Sequence, residues 1–250
     1  MVGAFLVGDP SAADAVVVAA DAPGWRAPGV RRFARLLHRV SGALVVVPDL
    51  ARGDTWYGDP DPTKRTQEKT FAEWRQGHPA ERAAADAAAV GVALRERGAT
   101  RVAAVGVGTG AGAVAALLAK QTNLARGGSE GSGDGTRETR DSSSAKETMD
   151  AGAVACAVDL DAATAGRAAA AGVPLLFLWG GGDGAAAARE ATAAAAEAAA
   201  GAAAPGRWRS VAFGDAGEHF AFFGADAATA ADDSRAVDAA NDIVDWMFRE

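Results

Sequence analysis

Short apolar runs alternate along the chain with longer stretches in which alanines are interspersed with charged residues. The runs are continuous rather than alternating, which is typical of strands buried on both faces of a mostly parallel sheet. They predict strands at residues 15–19, 43–47, 101–105, 153–158, 175–179 and 209–213. The stretches between them predict helices that cover both faces of that sheet. The pattern therefore predicts an α/β protein with a single domain over residues 1–250.

Helical periodicity is clearest in three of the intervening stretches. Large apolar residues recur at helical spacing in residues 28–42, where Gly42 is the predicted stop. Residues 79–97 predict an alanine-rich helix, and residues 234–248 predict a terminal helix that docks on the sheet. Residues 126–146 depart from the pattern because they contain glycine, serine and charge but no large apolar side chain. We expect a flexible surface insertion there.

Composition narrows the classes of function. Of the 250 residues, 67 are alanine, so the few large side chains must define the core. The formal net charge of −7 argues against a basic surface for binding nucleic acid. The single cysteine, Cys156, excludes an internal disulfide framework and a cysteine-based metal cluster, and we expect it buried in mid-strand. No apolar run approaches the length of a membrane span and no secretory signal is visible. These features predict a soluble, cytoplasmic protein without a metal or cofactor.

The most informative segment is the glycine-dense turn in RVAAVGVGTGAGAVAALLAK, residues 101–120. A strand, a turn and a helix in this order are typical of a nucleophile elbow, Gly-x-nucleophile-x-Gly, in which Gly106 and Gly110 would be the flanks. The central position is then Gly108, which has no side chain. Gly106, Gly108 and Ala111 also satisfy the G-x-G-x-x-A pattern of a phosphate-binding turn, although the acidic residue expected about 20 positions later would fall in the insertion. Under either hypothesis, small residues also let the helix pack closely on the strand.

Two titratable residues follow the turn in a suggestive order. Asp183 comes after the buried strand in PLLFLWGGGDGA, and His219 lies in the glycine-flanked segment GDAGEHFAFFG. The elbow, the acid and the base occur in the chain order of α/β-hydrolases. The alternatives are that Asp183 is a helix N-cap and that His219 is a surface histidine. We assign no chemistry to His38 or His78, and the three histidines are too dispersed to suggest a metal site.

Several fragments together resemble the dienelactone hydrolase family of α/β-hydrolases. They are DAVVVAADAPGW, VVVPDLARGD, the elbow strand, LFLWGGGD and GEHFAF, and their order and spacing cover nearly the whole chain. The resemblance implies hydrolysis of lactones or esters by a Cys or Ser nucleophile, a His base and an Asp orienter, without metal. The nucleophile position falls on Gly108, the acid on Asp183 and the base on His219. Without a thiol or hydroxyl at residue 108, no covalent acyl-enzyme can form there.

The resemblance also assigns residues around this centre. The backbone N–H groups of Ala22 and Thr109 would form the oxyanion hole. Arg52 matches an arginine that can face an acidic substrate, whereas Phe222 stands where a second arginine is expected. Asp21 is a shorter counterpart of the acidic residue that contacts the nucleophile in the family.

Three hypotheses about function follow. The first is a catalytically degenerate hydrolase, a pseudoenzyme that serves in binding or assembly. The second is an active hydrolase of small esters or lactones, in which His219 and Asp183 activate water directly. The third is nucleotide binding through residues 106–111. Trp25, Trp56 and Tyr57 follow predicted strands and either line an apolar pocket or cover the core. The sequence names no protein partner.

Overall fold

Seven strands form one sheet in the computed structural model, which describes residues 3–57, 68–127, 149–155, 160–180, 183–200, 207–213 and 230–248. The strands are β1 (Ala4–Val7), β2 (Asp14–Ala19), β3 (Leu44–Pro48), β4 (Arg101–Val107), β5 (Ala151–Ala155), β6 (Leu175–Gly180) and β7 (Trp208–Phe213). The helices of the described residues are α1 (Pro28–Ser41), α2 (Phe71–Gln76), α3 (Ala80–Glu96), α4 (Thr109–Gly127), α5 (Ala162–Ala169), α6 (Asp183–Ala200) and α7 (Ala230–Phe248).

The sheet has the strand order β1-β3-β2-β4-β5-β6-β7 and is parallel except for β1, which pairs antiparallel with β3. In the centre, β2 and β4 pair in a register that places Ala19 opposite Gly106. This arrangement confirms the predicted α/β class with a mostly parallel sheet.

Successive residues of the central strands point to opposite faces of the sheet, and helices cover both faces. Val16 and Val18 of β2 belong to a core that includes Phe33 of α1 and Ile243 of α7. Their neighbours on the same strand face a second core, which is formed with α3, α4, α5 and α6. Because both faces of the strands are buried, their sequences are continuously apolar.

Each of the six predicted strands coincides with an observed one, and the bounds that lie within the described residues are shifted by up to two residues. The sequence analysis missed β1, a four-residue edge strand whose side chains are only partly buried. Helix α1 ends as predicted, because Gly42 takes a left-handed φ of 72° and its N–H donates to the carbonyl of His38 at 2.7 Å.

Two predictions meet the limits of the described residues. Helix α4 extends to Gly127, and the rest of the insertion predicted at about 126–146 lies outside the described residues, as does Cys156. None of the described helices is both long and apolar enough to cross a membrane.

The topology determines where a site can form. From β2 the chain crosses through α1 to β3 on one side, whereas from β4 it crosses through α4 to β5 on the other. A crevice therefore opens between the carboxyl ends of β2 and β4, which is the usual place for ligands in open α/β sheets.

Candidate active site

The sharp turn after β4 has the backbone geometry of a nucleophile elbow. Gly108 follows the strand with a left-handed φ of 54°, and α4 begins at the next residue. The Gly108 N–H donates to the Ala155 carbonyl at 3.1 Å, and its own carbonyl accepts from the N–H of Ala111 at 3.1 Å. The turn is thus held from both sides in the left-handed conformation that an elbow requires, which a glycine adopts without strain.

The two flanking glycines allow α4 to pack closely on the sheet. A Cβ at Gly106 would lie 2.6 Å from the carbonyl oxygen of Gly110 and 2.7 Å from the Cα of Ala111. A Cβ at Gly110 would collide with the carbonyl of Ala19, whose carbon would lie at 2.5 Å. Both contacts involve backbone atoms, so neither position can take a side chain without moving the helix or a strand.

The Asp21 carboxylate occupies the space that a side chain at residue 108 would take. An ideal Cβ on Gly108 would lie 2.5 Å from Oδ1 and 2.6 Å from Oδ2 of Asp21. The Thr109 N–H donates to Asp21 Oδ1 at 2.8 Å. This N–H is the oxyanion donor inferred from the sequence resemblance. One carboxylate therefore fills the space at residue 108 where the resemblance predicts a nucleophile, and it accepts the N–H that the resemblance predicts as an oxyanion donor.

A cavity of about 300 Å³ opens over this turn. Its lining combines the ends of β2 and β3, the first turn of α3, the first two turns of α4, and residues of and next to α2 and α5. The residues that contribute are Ala20, Asp21, Ala22, Gly24, Pro48, Leu50, Ala51, Trp74, Arg75, His78, Ala80, Glu81, Ala83, Thr109, Gly110, Gly112, Ala116, Leu160, Asp161 and Thr164. A cavity of this size accommodates a small organic molecule.

Carboxylates outnumber cationic groups in this lining. Asp21, Glu81 and Asp161 contribute carboxylates to it, whereas Arg75 contributes a guanidinium group and His78 an imidazole. Asp161 is the N-cap of α5 and accepts the N–H of Thr164 at 2.8 Å. Hydrogen bonds from Thr164, by its side chain first and its backbone second, hold the pKa of Asp161 below the ordinary value, so this carboxylate is ionised at neutral pH.

An aromatic stack on and beside α2 closes one side of the cavity. Phe71 stacks on Trp74 with ring centroids 5.8 Å apart, and Trp74 stacks on His78 at 4.4 Å. His78 Nδ1 lies 2.7 Å from the Trp74 carbonyl, and because a carbonyl only accepts, the proton is on Nδ1. The Trp74 indole N–H donates to the Asp54 carbonyl at 2.6 Å, which attaches α2 to the loop after β3.

The structure brings four of the sequence-predicted residues together and leaves others elsewhere. Asp21, Ala22 and Thr109 line the cavity directly above Gly108. Asp183 is the first residue of α6, and its side chain lies outside the described part of the chain. His219 and Phe222 also lie outside the described residues. The arrangement of His219 as base and Asp183 as acid beside the elbow at Gly108 therefore stays a prediction.

Three residues expected to contact substrate have other partners in the structure. Arg52 does not line the cavity; it forms a two-pronged ion pair with Asp86, at 3.0 Å from Nε and 2.8 Å from Nη2, which raises the pKa of the guanidinium. Trp25 stacks beneath the guanidinium groups of Arg26 and Arg31. Trp56 is only 2% exposed and belongs to an aromatic cluster with Trp74, behind the cavity wall.

The sequence analysis missed the contributions of Trp74, His78 and Asp161. A signal for α2 was present in TFAEW, because Thr70 and Glu73 form a reciprocal capping box in which each side chain accepts the other's backbone N–H. No local pattern indicates that the histidine following this helix reaches the crevice. His78 is therefore a cavity residue for which the sequence indicates no role.

The sheet order and the elbow define an α/β-hydrolase-type fold. Solved structures similar to the chain include a dienelactone hydrolase-like promiscuous phosphotriesterase from metagenomic libraries, with a TM-score of 0.56 and 16% identity over 94% of this chain and 86% of that chain. A dienelactone hydrolase of Anabaena variabilis has a TM-score of 0.55 and 17% identity over 99% and 91%. An esterase/lipase from an uncultured bacterium has a TM-score of 0.53 and 13% identity over 100% and 82%. At these identities the likeness shows the fold.

Sequence comparison adds a partial match. No protein-family model matches the chain. An endo-1,3;1,4-β-D-glucanase of Zea mays is 36% identical over 95 residues, which are 38% of this chain. The chain spans about 28% of the length of that relative.

Proposed function

We propose that this chain is a catalytically degenerate protein of the dienelactone hydrolase type, whose cavity binds a small molecule without forming an acyl-enzyme. The observation that carries the proposal is the occupation of the elbow by Asp21. A working elbow requires a nucleophilic atom at residue 108 and free N–H donors for the developing oxyanion. Gly108 lacks the nucleophile, and the Asp21 carboxylate accepts the Thr109 N–H at 2.8 Å.

Electrostatics strengthen this argument. The oxyanion of an acyl-transfer intermediate carries a full negative charge and is stabilised by donors aimed at it. Here the same position is next to an acidic side chain, and two like charges within a few ångströms repel one another. Ester or lactone hydrolysis at this turn would have to displace the carboxylate first.

The contact also weighs against the nucleotide hypothesis. A pyrophosphate at a glycine-rich turn binds the N–H groups at the start of the following helix. At the start of α4 the Thr109 N–H already pairs with Asp21. A phosphate would have to replace that carboxylate and lie among the acidic groups of the cavity.

The test is a pre-steady-state hydrolysis assay of the unmodified chain with p-nitrophenyl acetate, dihydrocoumarin and the phosphotriester paraoxon. The last probe is included because one structural neighbour is described as a phosphotriesterase. We expect neither a burst of p-nitrophenolate nor turnover above that of His219→Ala and Asp183→Asn. A stoichiometric burst would show a covalent intermediate and contradict the proposal. Steady turnover without a burst, lost in His219→Ala, would favour direct water attack instead.

A further inference from the structure

Asp21 and Thr109 form the floor of the cavity beside the start of α4. This floor presents a hydrogen-bond acceptor, whereas an oxyanion hole presents donors. In a hydrolase of this fold the elbow presents N–H donors to a substrate carbonyl. Here Asp21 Oδ1 accepts the Thr109 N–H, and the carboxylate itself lines the cavity. An ionised carboxylate is acceptor-only, with capacity for further donors after the first is bound. The floor therefore offers an acceptor and a negative charge where a substrate carbonyl oxygen would lie.

The fold holds Asp21 in this place. The N-terminus of the 19-residue helix α4 carries a partial positive charge, which stabilises the carboxylate beside it. The Asp21 carbonyl accepts the Gly24 N–H at 2.7 Å, which fixes the turn after β2. The glycine at residue 108 leaves the space that the carboxylate fills. Asp21 is thus a built-in part of the cavity floor.

The remaining lining agrees with this polarity. Glu81 and Asp161 add two carboxylates to that of Asp21, whereas Arg75 contributes a guanidinium group and His78 an imidazole to the described lining. Arg52, the residue expected to meet an anionic substrate, is paired with Asp86 outside the lining. Apolar surface from Pro48, Leu50 and Trp74 forms the complementary wall.

From this geometry we propose that the cavity selects ligands that carry a hydrogen-bond donor, above all a primary ammonium group, on a small apolar body. The ammonium would donate to Asp21, and the apolar body would pack against the wall beside Trp74. Carboxylates and phosphates would be rejected by the same floor. This inference rests on the proposed binding function and specifies the ligand class of that site.

The experiment compares three probes of nearly equal size and different charge: benzylammonium, benzyl alcohol and benzoate at pH 7. Binding is measured by isothermal titration calorimetry. We expect benzylammonium to bind about tenfold more tightly than benzyl alcohol, because only the ammonium adds an opposite charge to the hydrogen bond with the Asp21 carboxylate. Benzoate should bind most weakly. Tighter binding of benzoate than of benzylammonium would overturn the inference, and so would no saturable binding of benzylammonium.

The variant Asp21→Asn removes the negative charge of the carboxylate and keeps an acceptor oxygen. The amide oxygen still accepts the Thr109 N–H, which preserves the turn. We expect this variant to lose the tenfold preference for benzylammonium over benzyl alcohol. The matched control is Asp9→Asn, which removes the same charge at the opposite end of β2, where Asp9 bonds Ser11. It should retain the preference. An unchanged preference in Asp21→Asn, or an equal loss in both variants, would refute a role for Asp21.

The outcomes separate this inference from the proposed function. A covalent burst in the ester assay together with a preference for benzylammonium would contradict catalytic degeneracy and support the polarity of the floor. A preference for benzoate without a burst would contradict only the ligand class.

Discussion

Replacing Gly108 with serine tests the occupied elbow directly, because the new Cβ would lie 2.5 to 2.6 Å from both Asp21 oxygens. Two costs follow. A non-glycine residue in left-handed backbone costs about 1 to 2 kcal/mol. Displacing Asp21 from the Thr109 N–H costs about 1.5 to 3 kcal/mol, the range for a hydrogen bond to a charged group. We therefore expect Gly108→Ser to lower the free energy of unfolding by about 2.5 to 5 kcal/mol.

A double-mutant cycle separates these two costs. In an Asp21→Ala background the carboxylate is already absent, so Gly108→Ser should cost only the backbone strain, about 1 to 2 kcal/mol. The coupling energy between the two sites is then about 1.5 to 3 kcal/mol. The backbone control is Gly42→Ser, since Gly42 has a φ of 72° and nothing within 4 Å of an added Cβ. Urea unfolding of the five proteins at pH 7 gives each value.

The cycle also has a clear refuting result. If Gly108→Ser costs the same with and without Asp21, the carboxylate does not occupy the elbow, and the arguments about the oxyanion donor and the cavity floor both fail. A cost in the wild-type background no larger than that of Gly42→Ser would lead to the same conclusion.

Three further predictions follow from other contacts. Gly110→Ala should lower the free energy of unfolding by more than about 3 kcal/mol, because its Cβ would collide with the carbonyl of Ala19. Gly112→Ala on the same helix has its nearest contact at 3.6 Å, so it should be neutral or stabilising by up to about 1 kcal/mol. Urea unfolding measures both values. The capping hydrogen bonds of Asp161 lower its pKa from the ordinary 3.8, so the stability that the ionised carboxylate contributes is complete above that value. This stability is lost as the pH falls through the lower folded-state pKa, whereas Asp161→Asn caps the helix without titrating. Between pH 4 and pH 2 the wild type should therefore lose more stability than the variant, and parallel curves of stability against pH would contradict the role of Asp161. Arg52→Gln should leave benzylammonium binding unchanged in calorimetry, because its ion pair lies outside the cavity lining, and a large loss would return Arg52 to the site.

The sheet was predictable from the sequence because its strands are buried on both faces and appear as continuous apolar runs. Strand β1 was not, since a short, half-buried edge strand has no comparable signal. The elbow was predictable from the spacing of its glycines, which the structure explains by contacts of less than 3 Å between backbone atoms and added Cβ atoms at Gly106 and Gly110.

Long-range pairings determine the rest of the site, and no local pattern encodes them. The bond between Thr109 and Asp21 joins residues 88 positions apart. The ion pair of Arg52 with Asp86 spans 34 positions, and it assigns the arginine to the surface rather than to the cavity. The sequence resemblance predicts an acidic contact to the elbow at Asp21, and the structure places the carboxylate of this residue in the space that a side chain at residue 108 would take.

The glycine at residue 108 and the contact between Asp21 and Thr109 require each other. A side chain at 108 would exclude the carboxylate, and without the carboxylate the N–H at the start of α4 would lose its anionic partner. A single substitution that introduces a nucleophile therefore does not create an oxyanion hole, because the displaced carboxylate stays on the same short turn. Acyl-transfer chemistry at this turn would require coordinated changes at both residues, whereas the proposed binding of a cationic donor requires neither.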